Sequence, residues 1–158
     1  MFYIGIDPGL SGAVAVISSD MSEVFDTPVV KVQGGKKTKR EFNARAMAAI
    51  LEFYVEAAMV GIESVHSMPD QGVASSFNFG KGFGIWLGIL ATLKLPYHLI
   101  TPQRWKKTML DGMGKEKDNS RLRAIQLFPH QPLALKWHHG RADALLIAYY
   151  TKTVIDKP

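Results

Sequence analysis

The sequence predicts an α/β fold with a mixed β-sheet, and three observations carry that prediction. Two apolar runs near the start, 2–6 and 13–18, flank a turn containing Asp7, Pro8, Gly9 and Gly12, which reads as strand, tight turn, strand. A stretch of helical periodicity then leads into a short apolar run at 59–63, as crossover connections to a parallel strand do. A closing segment, 140–154, carries Leu146, Ile147 and Tyr150 on one side, suited to lying on a sheet. With 158 residues, a single domain over 1–158 with a proper core is expected.

Each element has its own justification. The run 2–6 is apolar without alternation, as a strand buried on both faces should be. Strand two, 13–18, is expected to pair with strand three, 23–29, across the polar turn Ser19-Asp20-Met21-Ser22. The stretch 32–38, with Gly34, Gly35 and its lysines, reads as a mobile basic loop. A helix over 41–58 follows from Phe42, Ala46, Ala49, Ile50, Phe53 and Ala57 at helical spacing. Strand four, 59–63, ends in Glu63, the same grammar as strand one ending in Asp7.

After a loop over 64–74 comes a helix over 75–93 with Gly80, Gly84 and Gly88 four apart on one face. Each costs on the order of 1 kcal/mol relative to alanine. Either these glycines pack against the chain's own core, or they leave a groove for the sheet, a second subunit or nucleic acid. Strand five is 97–100. Thr101-Pro102 opens a helix with a capping hydroxyl and a proline at its first position. Gly112 and Gly114 break it, a helix resumes over 117–128, and Pro129 and Pro132 mark the next connection.

The formal charge is +5 and the pI about 9.5. Between Lys31 and Arg40 lie five basic residues and no acid. A second basic region holds Arg104, Lys106, Lys107, Lys115, Lys117, Arg121 and Arg123. Two such regions suggest a polyanionic partner, nucleic acid first. The absence of cysteine excludes disulfides, cysteine-based zinc sites and thiol catalysis. No basic leader precedes strand one, and the most apolar segment, 82–93, is too short to span a bilayer. A cytoplasmic protein without a membrane partner is expected.

Asp7 emerges where a buried strand meets its turn, a costly place for a carboxylate unless something cationic compensates it. The alternative is an Asx turn made with its own backbone. If strand four lies parallel beside strand one, Asp7 and Glu63 sit at neighbouring strand ends roughly 5 Å apart. Carboxylates that close either share a proton or bind a divalent cation. His139 and Asp143, four residues apart, share one face of the last helix. Asp143 also has two structural readings, a favourable acid at the helix start or a partner for Arg141.

Ile4-Gly5-Ile6-Asp7-Pro8-Gly9, the Glu63 strand end, and Gly140-Arg141-Ala142-Asp143-Ala144-Leu145 together resemble the RuvC-like Holliday junction resolvases of the ribonuclease H-like superfamily. The stretches from Thr101 to Lys106 and from Phe79 to Gly84 are similar to the phage and prophage branch, which would place the protein in a bacterial host's cytoplasm. The resemblance implies a five-stranded mixed sheet of order 3-2-1-4-5, with strand two antiparallel, flanked by helices. It also implies a homodimeric, metal-dependent endonuclease acting on Holliday junctions and other branched DNA, forks and flaps included. Asp7, Glu63 and Asp143 match three of the family's four metal-site residues. The fourth stands three residues before the last acid, where this chain has Gly140, so His139 is assigned to it, with His138 as the alternative. The family's aromatic wedge follows the glutamate; His66 stands three residues on, with Phe77 and Phe79 as other candidates.

Two Mg²⁺ ions per site, replaceable by Mn²⁺, suit this donor set, because Mg²⁺ prefers hard oxygen ligands. Such a pair activates water and stabilises the leaving oxygen of a phosphodiester. A neutral His139 would serve as ligand or general base, with an ordinary pKa of about 6.5. The residues expected to touch DNA are His66, Lys81, Arg104, Lys106, Lys107, Lys115, Lys117 and Arg121. Three competitors are weighed against this reading. One is the phosphate loop of the sugar kinase and actin fold, which needs a second domain and a nucleotide cofactor; no second glycine-rich loop is present. Another is a branched-nucleic-acid-binding module without cleavage, and the last is a nuclease acting on RNA.

Overall fold

The computed structural model describes all residues except 57, 65, 67–69, 71 and 158. Five strands form the main sheet: β1 (Phe2–Asp7), β2 (Ala13–Ile17), β3 (Ser22–Asp26), β6 (Ala58–Glu63) and β7 (Tyr97–Ile100). Two more, β4 (Val29–Gly34) and β5 (Lys37–Phe42), pair with each other as a separate ribbon. The helices are α1 (Ala44–Glu52), α2 (Val73–Thr92), α3 (Pro102–Met109), α4 (Asn119–Leu127) and α5 (His139–Tyr150), the last continuing as a π-helical turn over Thr151–Ile155.

The sheet order is β3-β2-β1-β6-β7, with β2 antiparallel to both neighbours and β1, β6 and β7 parallel. This is the mixed 3-2-1-4-5 sheet expected from the sequence. The central strands alternate between two cores. Ile4, Ile6, Val14, Val16, Val60 and Ile62 pack with Met47 and Leu51 of α1 and Trp86 and Leu90 of α2. On the other face Ala13, Ala15 and Ile17 pack with Trp105 and with Ala142, Ala144, Leu145 and Ala148 of α5.

Two glycines decide how close α5 comes. Gly5 and Gly61 are partners in the β1–β6 register and form a strip without side chains. A Cβ at Gly5 would lie 2.0 Å from the Ala144 carbonyl oxygen, and one at Gly61 2.2 Å from Thr151 Oγ1. At Gly5 helix backbone therefore rests directly on strand backbone, while at Gly61 the Thr151 and Ile147 side chains press onto the strand. That contact brings α5 to the ends of β1 and β6.

Several boundaries differ from the sequence expectation. Strand three stops at Asp26, because Pro28 cannot donate to a ladder, and the chain restarts at Val29. The expected loop over 32–38 is instead the turn end of the β4–β5 hairpin, turned at Gly35 and Lys36. Gly35 has φ +66°, the first-position conformation that type II′ hairpins reserve for glycine. The helix expected over 41–58 covers only Ala44–Glu52, because Asn43 caps it by accepting from the Ala46 N–H at 3.1 Å. Ala57 and much of the 64–74 loop lie outside the described residues. On α2, core packing does not explain Gly80, Gly84 and Gly88: a Cβ at any of them would meet nothing within 4 Å. The tightly packed glycine is Gly82, against the Phe42 ring and the Pro8 carbonyl.

Candidate active site

Three carboxylates from three elements lie within electrostatic reach of one another near the carboxyl ends of the parallel strands. Asp7 ends β1, Glu63 ends β6, and Asp143 comes from the second turn of α5. Burial raises the Asp7 pKa to about 8, reinforced by the charges of Asp143 and Glu63 and opposed by the Gly9 N–H and Lys106. Burial also raises Asp143, to about 6; Glu63 adds to the rise, while Lys106 and a hydrogen bond with Ser120 oppose it. Glu63 is raised by burial against the Trp105 hydrogen bond and Lys106. The groups lie within electrostatic reach of one another, and Lys106 acts on all three.

The local contacts show what compensates each acid. The Asx reading of Asp7 is met only by a long 3.4 Å contact from the Gly9 N–H, near the limit of a hydrogen bond. Glu63 Oε1 accepts from Trp105 Nε1 at 2.8 Å. Asp143 Oδ1 is buried with no hydrogen-bond partner among the described residues. The two structural readings of Asp143 do not hold. It lies beyond the first turn of α5, and Arg141 instead grips Asp26, Nε to Oδ1 at 2.6 Å and Nη2 to Oδ2 at 2.7 Å.

An open cleft of about 460 Å³ borders Asp7, lined by residues 9–12 of the β1–β2 turn, Asn78 and Phe79 of α2, and His139. His138 is turned elsewhere. Its Nδ1 accepts from the Leu135 N–H at 3.3 Å, its ring stacks on Trp137, and it lines a different groove with Asp26, Arg40 and Arg141. No side chain fits at position 140, where a Cβ would stand 2.2 Å from the Ser11 carbonyl oxygen. The glycine there is required by the close packing of α5 on the β1–β2 turn.

The expected DNA contacts divide into two groups. Arg104, Lys106, Lys107, Lys115 and Lys117 are exposed, and His66 is exposed beside Ser64 Oγ at 3.4 Å. Lys106 also lies 5.2 Å from the centre of the Trp105 ring, and its charge acts on all three carboxylates. Two expected contacts are engaged within the fold instead. Lys81 pairs with Glu41. Arg121 binds both oxygens of Asp118 and the Leu133 carbonyl, tying α4 to the segment before α5.

Sequence reasoning missed Trp105 and Ser120, which orient Glu63 and Asp143. The signal for Trp105 was its place in the first helical turn after β7, beside Lys106; nothing in the sequence marked Ser120.

The donors suit a hard divalent cation in kind: three carboxylates whose ionised forms are disfavoured by burial, one with an orphaned buried oxygen. Among the described residues, however, no group of three or more His, Cys, Asp or Glu side chains is close enough to form a ready-made ion cage.

No protein-family model matches the chain. The chloroplastic Holliday junction resolvase MOC1 of Chlamydomonas reinhardtii is 32% identical over 146 residues, an alignment covering 79% of this chain and 17% of that protein. The chain thus spans about one sixth of the length of that relative. Thermus thermophilus RuvC in complex with a Holliday junction substrate superposes with a TM-score of 0.64 at 16% identity, covering 100% of this chain and 99% of that one. A second Thermus thermophilus RuvC structure gives 0.54 at 19% identity, with 96% of each chain covered. In fold this chain is RuvC-like, and in sequence it resembles a Holliday junction resolvase.

Proposed function

We propose that the chain is a structure-specific endonuclease that hydrolyses phosphodiester bonds in Holliday junctions and other branched DNA. The observation that supports this reading is the electrostatic proximity of Asp7, Glu63 and Asp143, with Lys106 acting on all three, on a RuvC-like sheet and in a strongly basic chain. The similarity to a Holliday junction resolvase, and to RuvC solved with a junction, supports the substrate class.

Asp7, Glu63 and Asp143 would hold the metal, two Mg²⁺ in this reading, with His139 at the cleft wall as the fourth member. Such ions, when bound, supply Lewis-acid activation of water and neutralise charge at the scissile phosphate. The chain's own groups do the rest. Trp105 fixes the Glu63 carboxylate in place through its indole N–H. Ser120 does the same for Asp143, whose Oδ1 stays buried and without a hydrogen-bond partner among the described residues. Lys106 draws the phosphate in and favours the ionised form of the three acids against their burial. His139, exposed at the cleft, would take a proton from the attacking water. A four-way junction has two symmetric strands to cut, so two copies are required for paired incision. The open glycine face of α2 is the surface proposed for that homodimer.

The test is incision of a synthetic four-way junction with Mg²⁺ and with chelator. Wild-type chain should cut only with metal, and Asp7→Asn or Glu63→Gln should lose cleavage by at least a hundredfold while still binding the junction. Full cleavage by either variant refutes the assignment.

A further inference from the structure

We propose that the β4–β5 hairpin is a second DNA clamp, gripping the sugar-phosphate backbone on the side of the carboxylates opposite to α3. This rests on the nuclease reading and adds to it a binding element the sequence had disguised as a loop. The hairpin carries Lys31, Lys36, Lys37, Lys39 and Arg40, all exposed, and none forms an ion pair among the described residues. Its single acid, Glu41, is neutralised by Lys81. Five cations held on one paired ribbon without counter-charge are costly to keep together unless a polyanion meets them.

The topology says where that polyanion lies. β3, β1, β6 and β7 all run in the same direction, so their carboxyl ends share one rim of the sheet. The hairpin leaves the end of β3 at one edge, and α3 leaves the end of β7 at the other. Asp7 and Glu63 stand between them. Four strand spacings separate the edges, roughly 19 Å. The two basic elements thus flank the carboxylates, and backbone can be held on both sides of the scissile phosphate.

The hairpin is also anchored to the cleft itself. Arg40 Nη2 donates to Ser11 Oγ at 3.1 Å, and Ser11 lines the cleft beside Asp7. In the ribbon register Arg40 lies opposite Lys31, so both point to the same face. Lys39 and Arg40 border a groove shared with Phe77 and Asn78 of α2, which opens toward the same cleft. Backbone entering along the hairpin is led toward the carboxylates.

The experiment measures four-way-junction binding across a KCl series, with chelator present, for wild type and three variants. These are the hairpin variant Lys31→Ser/Lys36→Ser/Lys37→Ser/Lys39→Ser, the tip variant Lys36→Glu/Lys37→Glu, and Lys106→Ala/Lys107→Ala in α3. The hairpin variant should lose at least tenfold in affinity at low salt and flatten the salt slope by about 2 to 3, at about 0.9 per phosphate. The tip variant changes only two exposed turn residues, so it decides the matter if the larger variant fails to fold; it should weaken binding in the same direction. With Mg²⁺, both hairpin variants should raise KM and leave kcat unchanged. Hairpin variants that bind like wild type while the α3 variant weakens overturn this inference alone. A wild-type chain that neither binds nor cuts junctions overturns the nuclease reading and the clamp together.

Discussion

Glu63 shows how much of this site is set by a single neighbouring atom. Its carboxylate sits at a buried strand end, where desolvation favours the protonated form, and the Trp105 indole N–H is the main force holding it ionised. Replacing Trp105 with Phe keeps the aromatic bulk but removes that donor. The Glu63 pKa should then rise further, moving the acid limb of the cleavage rate profile to higher pH at a stability cost of about 1–2 kcal/mol. An unshifted profile would show that Glu63 does not titrate in the reaction. The paired histidines give a second residue-level contrast. His139 borders the cleft with Asp7, whereas His138 is occupied by Leu135 and Trp137. His139→Ala should slow cleavage by about a hundredfold or more, in line with the loss of a general base. His138→Ala should change it less than tenfold, and the reverse order would move the fourth position to His138.

At the level of elements, backbone contact matters more than side-chain chemistry. α5 reaches the active-site rim because Gly5 lets its backbone lie on β1 and Gly61 leaves room on β6 for the Ile147 and Thr151 side chains. Gly5→Ala would force a methyl into the Ala144 carbonyl, so the variant should lose about 3 kcal/mol or more, or fail to fold. Gly84→Ala on the open face of α2 should do the opposite in the monomer, adding up to about 1 kcal/mol. If α2 forms the dimer, the same change should weaken association measured by sedimentation. The main sheet was legible in the sequence, because apolar runs ending in Asp7 and Glu63 have one grammar and the crossover rule sets them side by side. The β4–β5 ribbon was not. Its lysines and paired glycines carry loop composition, and only Val29, Val30 and Val32 of β4 hint at a strand. The short α1 was masked in the same way, since Phe42 fits the helical period but ends β5, beyond which Asn43 caps the helix. Ser120 was invisible because its link to Asp143 depends on how α4 packs against α5, which no local pattern reports.

For the molecule as a whole, the clustered acids make stability depend on pH and on cations together. Asp7 is raised to about 8, Asp143 to about 6, and Glu63 is raised as well. A carboxyl whose folded pKa exceeds its unfolded value of about 4 stabilises the fold fully below that value. That contribution is lost as pH climbs through the folded pKa, here between about 4 and 8. The metal-free chain should therefore melt at a lower temperature at pH 8.5 than at pH 5.5. A divalent cation competes with those protons, so its stabilising effect should run the other way, slight at pH 5.5 and large at pH 8.5. At a hundred times its dissociation constant the cation adds about 2.7 kcal/mol, a rise of roughly 5–10 °C for a chain of this size. Asp7→Asn removes the largest of the raised groups, since each pKa unit is worth about 1.4 kcal/mol. Without metal it should be more stable than wild type at pH 8.5, and with metal it should gain little. Melting curves with Mg²⁺ and with chelator at the two pH values read all of this at once. A metal response of equal size at both pH values, or one that survives intact in Asp7→Asn, would mean the cation binds somewhere other than among these acids.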